Sequence, residues 1–279
     1  MGAPSSAPLY GCDPYQLRLD QSKSVSEDEA RAALKRGDIG FLHSFTTGSV
    51  VDGPGVRLVA WTTACMFRCR YCHNPDTWTL SNGMPVSIER ARDELRKYAP
   101  GLKAMRGGFT LSGGEPLMQA RFAAKLFGVA KALGIHTAIE TNGYSGEKLT
   151  DQELTDIDLV ILDMKAFSPE QHNRVTGVTD NAGIFDFCRR LALLRRPMWL
   201  RYVLVPGLTD VPDEIAAVAE FAASLGVVER AEILPFHQLG RYKWDKLQLG
   251  YALSLTSPPT QSAVDEAVGI FRARGLDTN

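Results

Sequence analysis

The chain has 279 residues, 44% apolar and 23% charged, which fits one α/β barrel or two smaller globular domains. Its 31 basic and 32 acidic residues nearly cancel, which argues against a protein held to nucleic acid by general phosphate attraction. No apolar run approaches the roughly 18 residues of a membrane span and no apolar signal core opens the chain, so a cytoplasmic protein without a membrane partner is expected.

Residues 1 to about 40 read as an N-terminal extension. Ser26-Glu27-Asp28-Glu29 has the spacing of a capping box, which predicts a helix through Ala30 to Lys35 that stops at Gly37. Few large apolar side chains anchor this stretch, and no chemistry is assigned to it. From Phe41 onward, short β-branched runs alternate with helical periods. Strands are predicted at Val56–Thr63, Gly108–Ser112, Thr137–Glu140, Leu159–Asp163, Trp199–Val205 and Ala231–Leu234. Helices are predicted over 88–98, 118–133, 149–155, 169–175, 181–195 and 211–225, the last with Ile215, Val218, Ala219, Ala222 and Leu225 on one face. A final helix over 260–274 turns Val264, Val268 and Phe271 inward.

Strands that alternate with helices must pair in parallel, because each crossover returns the chain to the same end of the sheet. Six of them predict an α/β fold, a partial (β/α)6 TIM-like barrel over residues 41–279 capped by the C-terminal helix, with an open doubly wound sheet as the alternative. Each strand runs into polar or metal-capable residues: Cys65, Gly113-Gly114-Glu115, Glu140-Thr141-Asn142, Asp163-Met164-Lys165, Pro206-Gly207 and His237. In a parallel barrel these ends share one face, where active sites collect.

The five cysteines are Cys12, Cys65, Cys69, Cys72 and Cys188. The odd number and the clustering of three point to a metal or redox site rather than a disulfide framework. Covalent haem on Cys69-Arg70-Tyr71-Cys72-His73 would require export and leaves Cys65 without a role. A zinc ion on Cys65, Cys69, Cys72 and His73 has suitable donors, but adjacent Cys72 and His73 point in different directions. A [4Fe–4S] cluster on three thiolates leaves one iron open to an exogenous ligand, a catalytic arrangement. Cys188, beside Phe185 and Phe187 in a helical period, reads as a core thiol.

The segment CMFRCRYCHNPDTW at 65–78 resembles the signature loop of radical S-adenosylmethionine (SAM) enzymes, and more narrowly that of the pyruvate formate-lyase activating family. The likeness continues through DGPGVR at 52–57, SGGEP at 112–116, LDMK at 162–165, RYVLVPGLTD at 201–210 and LPFHQLGRYKW at 234–244. It spans residues 40 to 275 or so, in order. The resemblance implies a reduced [4Fe–4S] cluster on Cys65, Cys69 and Cys72 that cleaves SAM to a 5′-deoxyadenosyl radical, which takes a hydrogen atom from a glycine of pyruvate formate-lyase.

In that scheme Gly113 and Gly114 allow close backbone approach to the methionine amine. Glu115 accepts from the ammonium or orients its loop. Lys165 meets the carboxylate, Asp163 accepts from ribose hydroxyls, His237 contacts either, and Met164 also belongs to the cofactor site. Arg201 is a second anchor or pairs with a carboxylate. Tyr71, His73 and Val203 are the candidates for the adenine slot. A monovalent cation beside the carboxylate would use Glu140 and Thr141, although the family pattern has Asp at position 140.

Asp52 to Gly55 and His73-Asn74 are candidates for touching the partner peptide. Arg241, Lys243 and Lys246 form a basic group that would dock an acidic electron donor, flavodoxin or ferredoxin. No cysteine lies between Cys72 and Gly113, so one cluster is expected. The resemblance then favours pyruvate formate-lyase over choline, glycerol or arylacetate systems, with the activase working as a monomer. The alternatives are another glycyl radical enzyme or a small molecule as the substrate. A non-catalytic iron–sulfur carrier would instead need a fourth protein ligand.

Overall fold

The computed structural model describes residues 27–278, so Cys12 and the expected helix cap Ser26 lie outside the described residues. The chain runs α1 (Glu27–Arg36), β1 (Ile39–Ser49), β2 (Arg57–Thr62), β3 (Met84–Ser87), α2 (Ile88–Ala104), β4 (Gly108–Gly113), α3 (Ala120–Ala132), β5 (His136–Thr141) and α4 (Asp151–Leu154). It continues with β6 (Leu159–Asp163), α5 (Pro169–Thr176), α6 (Ala182–Leu193), β7 (Met198–Leu204), α7 (Pro212–Leu225), β8 (Val228–Pro235), α8 (Arg241–Lys246) and α9 (Gln261–Arg272).

The strands form one sheet in the order β3-β1-β2-β4-β5-β6-β7-β8. From β2 to β8 every neighbouring pair is parallel, and these are the six strands the sequence pattern predicts. The sheet is α/β and does not close, with β3 and β8 as its edges. This is the partial-barrel architecture expected from the alternation.

Two strands escaped the sequence pattern. β1 and β3 pair antiparallel on the edge beside β2. The polar run Thr46-Thr47-Gly48 blurs the alternation of β1, and β3 has only four residues, one of them Pro85. Proline is tolerated there because an edge strand has a side with no ladder bond to donate.

The helices pack through the faces their periodicity sets. In α7 Ile215, Val218, Ala219 and Ala222 are buried, with Pro212 in its first turn and Gly226 at φ +67° ending it. In α9 Val268 and Phe271 are buried under a Thr260 cap that accepts from the Ala263 N–H. The α1–β1 junction lies flush on α3: a Cβ on Gly40 would meet the Phe122 ring at 2.2 Å.

Period-2 alternation sorts the parallel strands into two faces. One face carries the apolar cluster of Ala138, Leu159 and Ile161 with Trp199 against it, then Glu140, Asp163, Arg201 and Val203 towards the C-terminal ends. The inside of the barrel is therefore plugged by hydrocarbon below and polar at its mouth. At the opposite end, the fully buried Arg57 laces three strands. Its Nε donates to Thr110 Oγ1 at 2.9 Å, its Nη2 to the Phe109 carbonyl at 2.6 Å, and its Nη1 lies 3.2 Å from His136 Nδ1. A Cβ on Gly108 would sit 2.1 Å from that guanidinium, so the cation and the glycine require each other.

Burial lowers the Arg57 pKa to about 10, so the group stays charged at neutral pH. Removing it takes the donor from the buried Phe109 carbonyl and from the half-buried His136 Nδ1. Arg57→Ala should cost about 3 kcal/mol of stability, read as a lower urea midpoint at unchanged m-value. A loss below about 1 kcal/mol would show that the lacing is dispensable.

Candidate active site at the barrel mouth

Beyond β2 the chain enters the loop that carries the three clustered cysteines. Ala64 takes φ +72°, an uncommon angle for a residue with a Cβ, and its carbonyl accepts from the Glu115 N–H at 2.8 Å. Cys65 N–H donates to the Trp78 carbonyl at 3.1 Å, and Cys72 N–H to the Cys69 carbonyl at 3.0 Å. Arg68 and Arg70 N–H donate to Thr176 and Val175, the carbonyls that α5 leaves free at its C-terminus. Trp244 of α8 closes the loop from above, donating its indole N–H to the Cys72 carbonyl at 2.8 Å.

So held, Cys65, Cys69 and Cys72 line one cavity of about 440 Å³ at the C-terminal ends of the strands. All three are free thiols, as is Cys188, which is fully buried in α6 away from them. Burial pushes the Cys69 thiol up to about 12, partly offset by Lys165. Burial likewise raises Cys65, with help from Glu115, and also raises Cys72. A metal centre must therefore displace thiol protons on binding. Among the described residues no three His, Cys, Asp or Glu side chains close on a single ion. His73 is engaged elsewhere, its Nε2 3.2 Å from the His237 carbonyl and its ring 4.2 Å from that of His237. Three thiols around a roomy cavity fit an iron–sulfur cluster better than a zinc ion.

The remaining walls hold most of the residues expected there: Tyr71, His73, Gly113, Gly114, Glu140, Thr141, Asp163, Lys165, Val203 and His237 all line the cavity. Lys165 Nζ lies 2.6 Å from Asp163 Oδ2 and 5.3 Å from the Tyr71 ring centre. Burial works against the Lys165 charge, but Asp163, Tyr71 and Cys69 outweigh it and raise its pKa. The pair, with Lys165 buried and Asp163 half-buried, therefore belongs to the cavity rather than to the solvated surface. The buried Tyr71 hydroxyl has no hydrogen-bond partner among the described residues. Burial, then His237, lowers the His73 pKa, so its ring is neutral at pH 7.

The glycine pair is dictated by backbone contact. Gly113 has φ +125°, and a Cβ there would sit 2.2 Å from Thr62 N; on Gly114 it would sit 2.5 Å from Ala64 O.

Three expected residues stand behind the walls. Glu115 is 1% exposed and orients its loop: it accepts from Thr141 Oγ1 at 2.6 Å, Asn142 N at 2.8 Å and Leu117 N at 2.9 Å. Met164 follows Asp163 by one residue, so period 2 sends its side chain into the core, where it is 1% exposed. Arg201 pairs with carboxylates beneath the cavity, at 2.5 Å from Glu140 and 2.7 Å from Glu232, and its Nη2 also donates to the Val51 carbonyl.

The basic group on α8 is also rearranged. Lys243 turns inward, 2.8 Å from Asn74 Oδ1 and 3.0 Å from Asp76 Oδ2, because the buried Asp76 needs a counter-charge. Sequence reasoning missed this role of Lys243 and that of Trp244, since their partners lie about 170 positions away. It also missed Ser112, whose hydroxyl donates to Glu140 at 2.5 Å.

Residues 59–222 match the Radical SAM superfamily, and the chain belongs to it. That family implies a [4Fe–4S] cluster and SAM. Within it the chain belongs with the pyruvate formate-lyase-activating enzymes. It is 40% identical over 235 residues to the Staphylococcus epidermidis enzyme of that name, covering 82% of this chain and 93% of that one. A domain of pyruvate formate-lyase-activating enzyme from Bacteroides vulgatus aligns with TM-score 0.52 and 26% identity, over 62% of this chain and 98% of that one. Streptococcus suis SuiB bound to SAM shares the fold alone, with TM-score 0.58 and 12% identity over 78% of this chain and 48% of that one. No helix among the described residues is long and apolar enough to cross a membrane.

Beneath the cysteine loop, His172 of α5 packs its ring edge-on to Phe67 at 5.1 Å, and neither ring nitrogen has a hydrogen-bond partner among the described residues. Burial, aided by Lys165, lowers its pKa to about 4. Its folded pKa lies below the unfolded value of 6.5, so the unfolded state binds the proton first as pH falls. Stability is complete above pH 6.5 and declines as pH falls towards 4. His172→Phe should abolish roughly 3 kcal/mol of the acid-side loss between pH 7 and 4, measured by urea unfolding across that range. Parallel curves for both proteins would contradict the assignment.

Proposed function

We propose that the protein activates pyruvate formate-lyase by placing a glycyl radical on it. The observation that carries this reading is the convergence of three free thiols, the Asp163–Lys165 pair and an open glycine backbone on one cavity. When bound, a reduced [4Fe–4S] cluster with SAM supplies one-electron cleavage of the sulfonium and a carbon radical able to take hydrogen from glycine.

Cys65, Cys69 and Cys72 would hold three irons, the fourth being left to the cofactor. Lys165, kept charged by Asp163, is the cation suited to the methionine carboxylate. Gly113 and Gly114 offer backbone without side-chain obstruction for the amine. Tyr71, His73, Val203 and His237 form an aromatic and apolar wall suited to the nucleoside, with Phe236 helping to exclude water. Asp52, His73 and Asn74 line the same cavity and would be the residues to touch an incoming glycine loop.

In the same proposal a flavodoxin or ferredoxin supplies the electron. A monovalent cation in the same proposal would sit beside Glu140 and Thr141, whose side chains also meet Arg201, Ser112 and Glu115.

Anaerobic reconstitution tests the proposal. The wild-type protein should bind iron and sulfide, cleave SAM under dithionite, and give a glycyl radical signal by electron paramagnetic resonance once pyruvate formate-lyase is added. Cys65→Ala, Cys69→Ala and Cys72→Ala should each abolish cleavage, and persistence in any one would remove the cluster assignment. Cleavage without a glycyl radical on the lyase would point to another substrate.

A further inference from the structure

The outer side of the cysteine loop carries a feature the cavity does not use. Arg68 and Arg70 are exposed on either side of Cys69, which is buried. Their backbone bonds to Thr176 and Val175 set them against the end of α5, beside Arg174, which is also exposed. Arg68 folds back onto the loop, donating to the Cys65 carbonyl at 2.7 Å and lying 4.8 Å over the Trp78 ring. Arg174 donates to the Gly207 carbonyl at 3.2 Å.

Among the described residues no carboxylate pairs with any of these three arginines. Two acids of adjacent loops are already engaged by backbone: Asp180 accepts from Ala182 N and Asp210 from Gly207 N. Three guanidiniums with no ion pair among the described residues make a local positive field that the balanced overall composition hides.

We infer that this arginine arc docks an acidic one-electron carrier protein that reduces the cluster. The inference rests on the radical reading above. Electron transfer falls off steeply with distance, and the cavity side is taken by the cofactor and the partner's glycine. A donor must therefore approach the cysteine loop from behind, where Arg68-Cys69-Arg70 is the surface over the cluster. The alternative basic face on α8 is weaker: Lys243 is half-buried and paired with Asp76, and Arg241 has Asp245 at 4.0 Å. One electron leaves the reduced flavin or iron–sulfur centre of the carrier, which is oxidised by one unit, and enters the cluster. No bond or proton moves.

The test uses the reconstituted full chain and its Arg70→Glu/Arg174→Glu variant, sparing Arg68 because it touches the cysteine loop. Cluster reduction is followed by stopped flow with reduced flavodoxin as the acidic carrier and with photoreduced deazaflavin as a small donor. At low ionic strength the variant should react about tenfold more slowly with flavodoxin, with deazaflavin-driven reduction and SAM cleavage unchanged. Salt should slow the wild-type reaction with flavodoxin towards that of the variant. An unchanged flavodoxin rate, or a larger loss in Arg241→Glu/Lys246→Glu, overturns the proposal. If the first variant also loses deazaflavin reduction, the wild-type salt series decides, and a flat series overturns it. Wild-type protein that cleaves no SAM with deazaflavin would count against the radical reading instead.

Discussion

Glu115 ties three loops at the mouth of the barrel. Its backbone N–H holds Ala64 just ahead of Cys65, and its carboxylate takes the Thr141 hydroxyl and the Asn142 N–H at the end of β5. A carboxylate so deeply buried is costly to ionise, and burial does raise its pKa despite the bonds it accepts. The three donors offset that cost, and the loops become fixed relative to one another. The glycines before it tolerate no side chain, because β2 and Ala64 press against them. The cysteine loop, the glycine backbone and the end of β5 are thus tied to one another.

The charges around the cavity obey the same constraint. Glu140, Glu232 and Asp52 surround Arg201, while Asp163 and Lys165 hold each other nearer the cavity. In a buried site an unpaired charge is far more expensive than a paired one, so each ionised group has a partner. The difference between the two sets is position. Arg201 is consumed by its neighbours below the cavity, whereas Lys165 lines it and keeps donor capacity for an anion.

The cysteine loop has two distinct sides. Towards the cavity it presents thiols and the Tyr71 ring; towards solvent it presents arginines. Alternation within Arg68-Cys69-Arg70 produces this split once α5 fixes the backbone of the two flanking residues. α8 completes the support from a third direction, through Trp244 and Lys243. The loop needs such bracing because it contributes no ladder bonds of its own to the sheet.

Local information sufficed for the six parallel strands, the helices between them, the polar strand ends and the thiol spacing. Each of these depends on residues a few positions apart, where period and spacing speak directly. Adjacent residues at the end of β6 part company by the period of the strand: Asp163 lines the cavity and Met164 is buried in the core, a split that a run of neighbouring candidates along the chain does not record. Folding alone set the antiparallel edge of β1 and β3, the burial of Glu115, the pairing of Arg201 and the inward turn of Lys243. Those outcomes follow from which buried charges and backbone groups find partners across gaps of tens to hundreds of residues, and no periodicity along the chain records that.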